Sequence, residues 1–302
     1  MTAVRQLDRL LLDWHDPAVR GLPWRGTRDP YGIMVSEVMT QQTQAERAAA
    51  SWVSFMRRFP TVSGLASAPV GEVVVAWQGL GYNRRAVNLH RCAQIIQARH
   101  AGVVPEDGAD LQALPGLGPY TVRAIQSFAF GHDEIPVDTN VARVLSRVDN
   151  QVLARPQAQE RADGLTGRGS GSATAAALMD LGATICTARA ARCGECPLAG
   201  ICAWQGGPGA DPAAGGAHRP RAQSIFEGSR RQARGRVVAA MRLGPVPLDV
   251  ALQLAGPGGE DLLNGLIGDG LAEVVPRGFA LPGWGGKSAA EEVTDPARDV
   301  WR

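Results

Sequence analysis

The stretch LPGLGPYTVRAIQSFAFGHDEIPVDTNVARVL (114–145) decides the fold. It opens on a glycine-hinged turn, LPGLGP, and runs directly into a helical pattern. Gly116 and Gly118 let backbone N–H groups point outward, and the start of the following helix favours an anion. Such a turn is a sequence-independent phosphate grip, or an ordinary helix–helix connection. About twenty residues on, Asp138 in IPVDTN stands near the start of another helix, where an aspartate most often serves as the N-cap. A helix, a tight hairpin, a helix and a capped helix in succession predict a mainly α fold.

Working outward from there, RQLDRLLLDWH, AERAAASWVSFMRRF and RRAVNLHRCAQIIQARH also repeat apolar residues at helical spacing. Strand-like alternation is scarce before residue 205. Upstream, Glu37 sits in VSEVMTQQT among Ile33, Met34, Val35, Val38 and Met39. A carboxyl with such neighbours is partly buried and holds its proton more tightly; a solvated or ion-paired glutamate is the plainer alternative. Downstream, Cys186, Cys193, Cys196 and Cys202 follow one another with six, two and five residues between them. Four thiols so close in a chain with no export signal point to metal, either tetrahedral zinc or a four-iron, four-sulfur cluster. One CxxC flanked by single cysteines leans toward iron–sulfur, and two disulfides are the bland alternative. Cys92, in NLHRCAQII, reads as a core thiol.

Composition bounds the rest. A chain of 302 residues with 45% hydrophobic content supports two domains with ordinary cores. The N-terminus carries early acids and no long apolar run, so it does not read as a signal peptide. No stretch approaches the roughly 20 apolar residues of a membrane span. These features predict a cytoplasmic protein without a membrane partner. Net charge is only +2, so no global basic field announces nucleic acid. The base usage is uneven: 30 Arg and one Lys, Lys287. The segment GLTGRGSGS (164–172) reads as a surface loop, and GGPGADPAAGG (206–216) as a linker. A basic run follows, with Arg219, Arg221, Arg230, Arg231, Arg234 and Arg236. Residues 230–283 offer three helices and then two short strands, LAEVV and FALP, around PRG, an order that resembles a winged-helix module.

Taken together, LPGLGPY, VDTN and the four-cysteine spacing resemble the helix-hairpin-helix DNA glycosylase superfamily with its iron–sulfur loop. LPWR (22–25), SEVMTQQTQ (36–44), WQGLGYNRRAVNLH (77–90) and LMDLGATIC (178–186) are close to the MutY-type adenine DNA glycosylases. The resemblance covers roughly residues 5–205. It implies a glycosylase domain over 1–205, with a helical barrel at about 28–135 carrying the hairpin 114–120. The termini and the iron–sulfur loop 186–202 would form the second subdomain. A linker over 206–229, a winged-helix-like module over 230–283 and a loose tail over 284–302 complete the expected layout.

The resemblance also implies chemistry. The substrate is double-stranded DNA holding an adenine mispaired with 8-oxoguanine or guanine, and the N-glycosidic bond is hydrolysed by a nucleoid-associated bacterial monomer. Glu37 is then the general acid on the adenine ring, Asp138 stabilises the oxocarbenium-like sugar, and Asn140 orients Asp138. Tyr120 takes the place that is a catalytic lysine in lyase-active relatives. Trp24 and Arg25 match residues of the adenine pocket. Gln42 and Tyr82 match residues that wedge beside the orphaned base. The four cysteines ligate one 4Fe–4S cluster, whose loop carries Arg189 and Arg192 for phosphates. Two departures stand out: Ala176 occupies a place that is usually Gln or Glu and helps recognise adenine, and no Nudix-like C-terminal domain follows. Two other readings compete. An endonuclease III-like glycosylase/AP lyase needs an amine, yet position 120 is tyrosine and residues 1–286 contain no lysine. A non-enzymatic iron–sulfur winged-helix regulator leaves Glu37, Asp138 and the hairpin unexplained.

Overall fold

A computed structural model describes residues 3–16, 20–166, 169–207, 209–215 and 225–284. In chain order its helices are α1 (Ala3–Trp14), α2 (Pro30–Thr40), α3 (Ala45–Arg58), α4 (Val62–Ser67), α5 (Val70–Ala76), α6 (Arg84–Arg99), α7 (Gly108–Gln112), α8 (Pro119–Phe128), α9 (Thr139–Asp149), α10 (Arg155–Asp163), α11 (Gly171–Thr184), α12 (Arg230–Met241), α13 (Leu248–Ala255) and α14 (Gly259–Gly268). An antiparallel hairpin of β1 (Glu273–Val275) and β2 (Gly278–Ala280) ends the described chain, with Val274 opposite Phe279. The fold is mainly α, as the sequence predicts, and the C-terminal elements follow in the expected order. Among the described residues no helix is long and apolar enough to cross a membrane.

Packing divides the chain into two compact units. The first takes the described residues of Met1–Trp52 and Val104–Ala222. Its core is built on α1, α9 and α11, where Leu7, Leu11, Val144, Leu145, Leu178 and Leu181 are buried. The apolar face of α9 recurs at helical spacing (Val141, Val144, Leu145, Val148), which is why this segment folds as an amphipathic helix against α11. The second unit joins the described residues of Val53–Val103 to those of Gln223–Arg302. Here Phe55 and Trp77 meet edge to face at 5.9 Å. The end of the C-terminal hairpin docks on α5: the Gly71 amide donates to the Pro282 carbonyl at 2.9 Å. A Cβ on Gly71 would lie 2.5 Å from that of Trp284, so only glycine allows this approach.

This grouping cuts the chain differently from the expected boundaries, because residues 53–103 pack with the C-terminal elements. Arg242 accounts for part of it. Its Nη2 donates to the Asn83 side chain at 3.1 Å and the Val74 carbonyl at 3.2 Å. Part of the expected linker is also fastened down. Pro212–Ala214 form a short 3-10 turn capped by Asp211, whose carboxylate takes two hydrogen bonds from buried Arg147. Composition marks this stretch as loose, but a buried guanidinium needs a counter-charge. Arg219, Arg221, Lys287 and the tail beyond Trp284 lie outside the described residues, as do two residues of the loop expected over 164–172.

Candidate active site and cysteine loop

Every residue that the sequence reading places in the chemistry lies in the first unit. α2 begins at the N-cap Asp29, whose side chain accepts from the amides of Tyr31 and Gly32, with Pro30 at the first helical position. α2 is buried from Tyr31 to Met39 and carries Glu37 inside. Burial pushes the Glu37 carboxyl up to about 7, and the nearby Asp138 charge adds to the rise. The Arg25 guanidinium and a hydrogen bond from the Tyr120 hydroxyl pull the other way. Oε2 of Glu37 is buried with no hydrogen-bond partner. A carboxyl with one oxygen solvated by tyrosine and the other orphaned is built to carry a proton.

Asp138 is provided for differently. As N-cap of α9, its Oδ1 accepts from the amides of Asn140 at 2.8 Å and Val141 at 2.7 Å. Its Oδ2 accepts from the Asn140 side-chain amide at 2.9 Å. Burial raises its proton affinity, while these three donors oppose the rise. Asn140 is fixed in turn by Arg143, whose Nη2 donates to Asn140 Oδ1 at 2.7 Å and to the Gly182 carbonyl at 2.6 Å. Asp138 thus caps α9 and is itself held by the Asn140 side chain. Gly182 permits this: a Cβ there would stand 2.7 Å from the Asn140 Cβ.

Trp24 and Arg25 lie in a 3-10 turn, Pro23–Gly26. Trp24 is buried and meets Trp52 edge to face at 6.1 Å. Arg25 stands over the Phe128 ring at 5.9 Å, and its Nη2 donates to Asp180 Oδ1 at 3.1 Å. Asp180, buried on α11, also accepts from Arg20 and from His15 Nε2. Ala176, one helical turn before it, is buried and brings no polar group. The sequence reading missed this cluster and missed Arg143 and Arg147. The available signals were a lone acid inside the apolar run ALMDLG and two arginines four apart on α9.

In the hairpin, Gly116 has φ 84°, the left-handed region that favours glycine. Gly118 caps α8 with φ −84° and ψ 172°, extended backbone open to any residue. No side chain caps α8 and Pro119 opens it, so its first amides are left without a side-chain acceptor. Gln41 Nε2 ties the end of α2 to this turn through the Gly116 carbonyl at 3.1 Å. Gln42 beside it is exposed and holds φ 58°, an uncommon left-handed conformation for a non-glycine residue. In the second unit Tyr82 shares that property, with φ 46° and 37% exposure.

The four cysteines behind α11 are free thiols that line one small recess together with Arg147, Arg192 and Trp204. Arg147 Nη1 reaches Cys186 Sγ at 3.3 Å, and its guanidinium lies over the Trp204 ring at 4.5 Å. Arg143 Nε holds the Cys186 carbonyl at 2.8 Å. Burial and neighbouring thiols push Cys196 up to about 11, so this donor set calls for strong positive charge within the recess. Among the described residues no three His, Cys, Asp or Glu side chains close on a single ion. Four thiols around one recess are an all-sulfur donor set of the kind that holds zinc or an iron–sulfur cluster. Cys92 is buried away on α6, its thiol pushed up to about 12 by desolvation, as a core residue's would be. Arg189 and Arg192 are exposed on the loop.

Residues 35–162 match the family described as HhH-GPD superfamily base excision DNA repair protein. An adenine DNA glycosylase from Mycobacterium tuberculosis is 42% identical over 294 residues, covering 92% of this chain and 94% of the relative. A match over that share of the chain cannot stop before the C-terminal elements. A thermostable thymine-DNA glycosylase structure superposes with a TM-score of 0.59 at 27% identity, covering 67% of this chain and 94% of that one. A non-covalent endonuclease III–DNA complex gives 0.58 at 22% identity, over 67% and 93%, and shows the same fold.

Proposed function

This chain belongs to the adenine DNA glycosylase family within the HhH-GPD superfamily, and from that premise we propose that it excises adenine from mismatched duplex DNA by hydrolysis of the N-glycosidic bond. One observation carries the chemistry: two carboxyls of opposite provision share a site. Glu37, buried with an orphaned oxygen, holds a proton near neutral pH and delivers it to a ring nitrogen of the extruded base. Asp138, bound by three N–H donors, faces the sugar as its cationic character develops. Tyr120 hydrogen-bonds Glu37 and offers no amine. Arg25, anchored by Asp180, and Trp24 are the pocket residues. With alanine at position 176, polar recognition of adenine falls to Arg25.

Residues 1–205 are the catalytic part. The hairpin at Gly116 and Gly118 takes a phosphate on the amides at the start of α8. Gln42 and Tyr82 enter the duplex beside the emptied place. Cys186, Cys193, Cys196 and Cys202 would hold one 4Fe–4S cluster, which would serve to order the loop that carries Arg189 and Arg192 toward DNA; glycosidic hydrolysis needs no redox step. The partner base is guanine or 8-oxoguanine, and the enzyme works as a monomer at the bacterial nucleoid.

The test is a substrate panel. The purified protein should release adenine from A·G and A·8-oxoguanine duplexes and leave oxidised pyrimidines intact. Borohydride should trap no amine-linked adduct with DNA. Strand nicking with a trapped adduct would replace this reading by the lyase one.

A further inference from the structure

The second unit gathers an aromatic and cationic cluster at its surface. Tyr82 and Phe226 are the two aromatic rings among the exposed large hydrophobic side chains of the described residues, at 37% and 52%. One guanidinium lies by both: that of Arg231, on α12, is 5.2 Å from the Phe226 centroid and 6.0 Å from that of Tyr82. Its Nη1 also donates to the Tyr82 hydroxyl at 3.2 Å. Arg85 stands over the Tyr82 ring at 5.7 Å. Left-handed backbone at a tyrosine is strained, and here it accompanies a ring left exposed to solvent. Glycines at 79 and 81, both at positive φ, precede the tyrosine. Residues 225–236 hold four arginines against the single acid Glu227. Asp269 pairs with Arg234 and Arg84, and Arg231 is the guanidinium that lies by both rings.

Exposed rings interleaved with guanidinium groups are the chemistry that accepts unpaired bases on π-faces and phosphates on cations. We propose that Tyr82, Arg231 and Phe226 form one DNA-contact site in which the C-terminal segment supplies two of the three side chains. An unpaired base, such as the one left opposite an extruded adenine, stacks on the rings, and a backbone phosphate meets Arg231. This proposal rests on the glycosylase reading for the origin of that unpaired base. It gives the C-terminal elements a part in recognition although they form no Nudix-like domain.

The experiment measures duplex binding by the full chain in a Glu37→Gln background, which prevents turnover. Probes are one duplex with a single A·G mismatch and its fully paired A·T counterpart, over a series of KCl concentrations. Phe226→Ala should weaken binding to the mismatch at least five-fold and binding to paired DNA less than two-fold, while Phe226→Tyr restores it. Arg231→Gln keeps a donor for the Tyr82 hydroxyl and removes only the charge. It should lower the slope of log affinity against log salt by about 0.9, a change that loss of packing alone would not produce. Unchanged affinity and slope in both variants would overturn the site. If the parent chain with Glu37 releases adenine and the variants still bind as tightly, the site falls and the glycosylase reading stands. If the variants lose mismatch binding but the parent chain releases no adenine, the glycosylase reading falls and the site stands.

Discussion

Glu37 and Asp138 are both carboxyls, and their surroundings alone assign them opposite tasks. Glu37 must be protonated to act, and its carboxyl sits at about 7. Single-turnover adenine release should therefore fall as pH rises through about 7. On the acid side it should fall as Asp138 takes up its own proton, above the ordinary aspartate value of 3.8 because burial raises it. A rate that climbs steadily to pH 9 would remove Glu37 from the acid role. The same residue shapes stability. Glu37 binds its proton more tightly folded than unfolded, so that contribution is full below 4.5 and is lost as pH rises through about 7. The rise amounts to about 3 kcal/mol. Glu37→Gln should accordingly raise the melting temperature over the wild type at pH 8, and the gain should vanish by pH 4; equal melting temperatures at both pH values would show that the site does not strain the carboxylate. The sequence showed Glu37 as buried, because its neighbours at helical spacing are apolar. It could not show the orphaned Oε2, which depends on Tyr120 arriving from α8.

The helices α9 and α11 hold the site together from behind. Arg143 links Asn140 to the Gly182 and Cys186 carbonyls, so the backing of Asp138 and the entry to the cysteine loop share one guanidinium. Gly182→Ala would place a methyl group against Asn140. Overpacking of this kind costs about 1–3 kcal/mol. Adenine release should slow at least ten-fold as Asp138 shifts, while DNA affinity stays within two-fold; full activity would show that α9 yields without disturbing the carboxylate. Element types were largely legible, since the caps at Asp29 and Asp138, the glycine turn at 116 and the amphipathic faces are all local signals. Long-range polar partners were not. Arg143 and Arg147 read as two arginines on an ordinary helix, and nothing within α9 announces that they face a cysteine loop some 40 residues away.

At the scale of the molecule, the four cysteines were the strongest signal in the chain, because thiol spacing is a covalent constraint that survives any ambiguity of packing. Purified protein should be brown and carry iron and sulfide in cluster stoichiometry. Cys196→Ser should lose the colour and weaken DNA binding; stoichiometric zinc in protein made with iron available would contradict the cluster. The grouping of residues 53–103 with the C-terminal elements was illegible, since it depends on one glycine at 71 and one arginine at 242 meeting distant partners. The central claim is that Glu37 supplies the proton that makes adenine leave. It is tested most directly by single-turnover adenine release from an A·8-oxoguanine duplex, with wild type and Glu37→Gln compared at matched DNA saturation. The account predicts a rate lower by roughly 10²- to 10⁴-fold in a variant that still binds the duplex. Release at the wild-type rate by Glu37→Gln would contradict it.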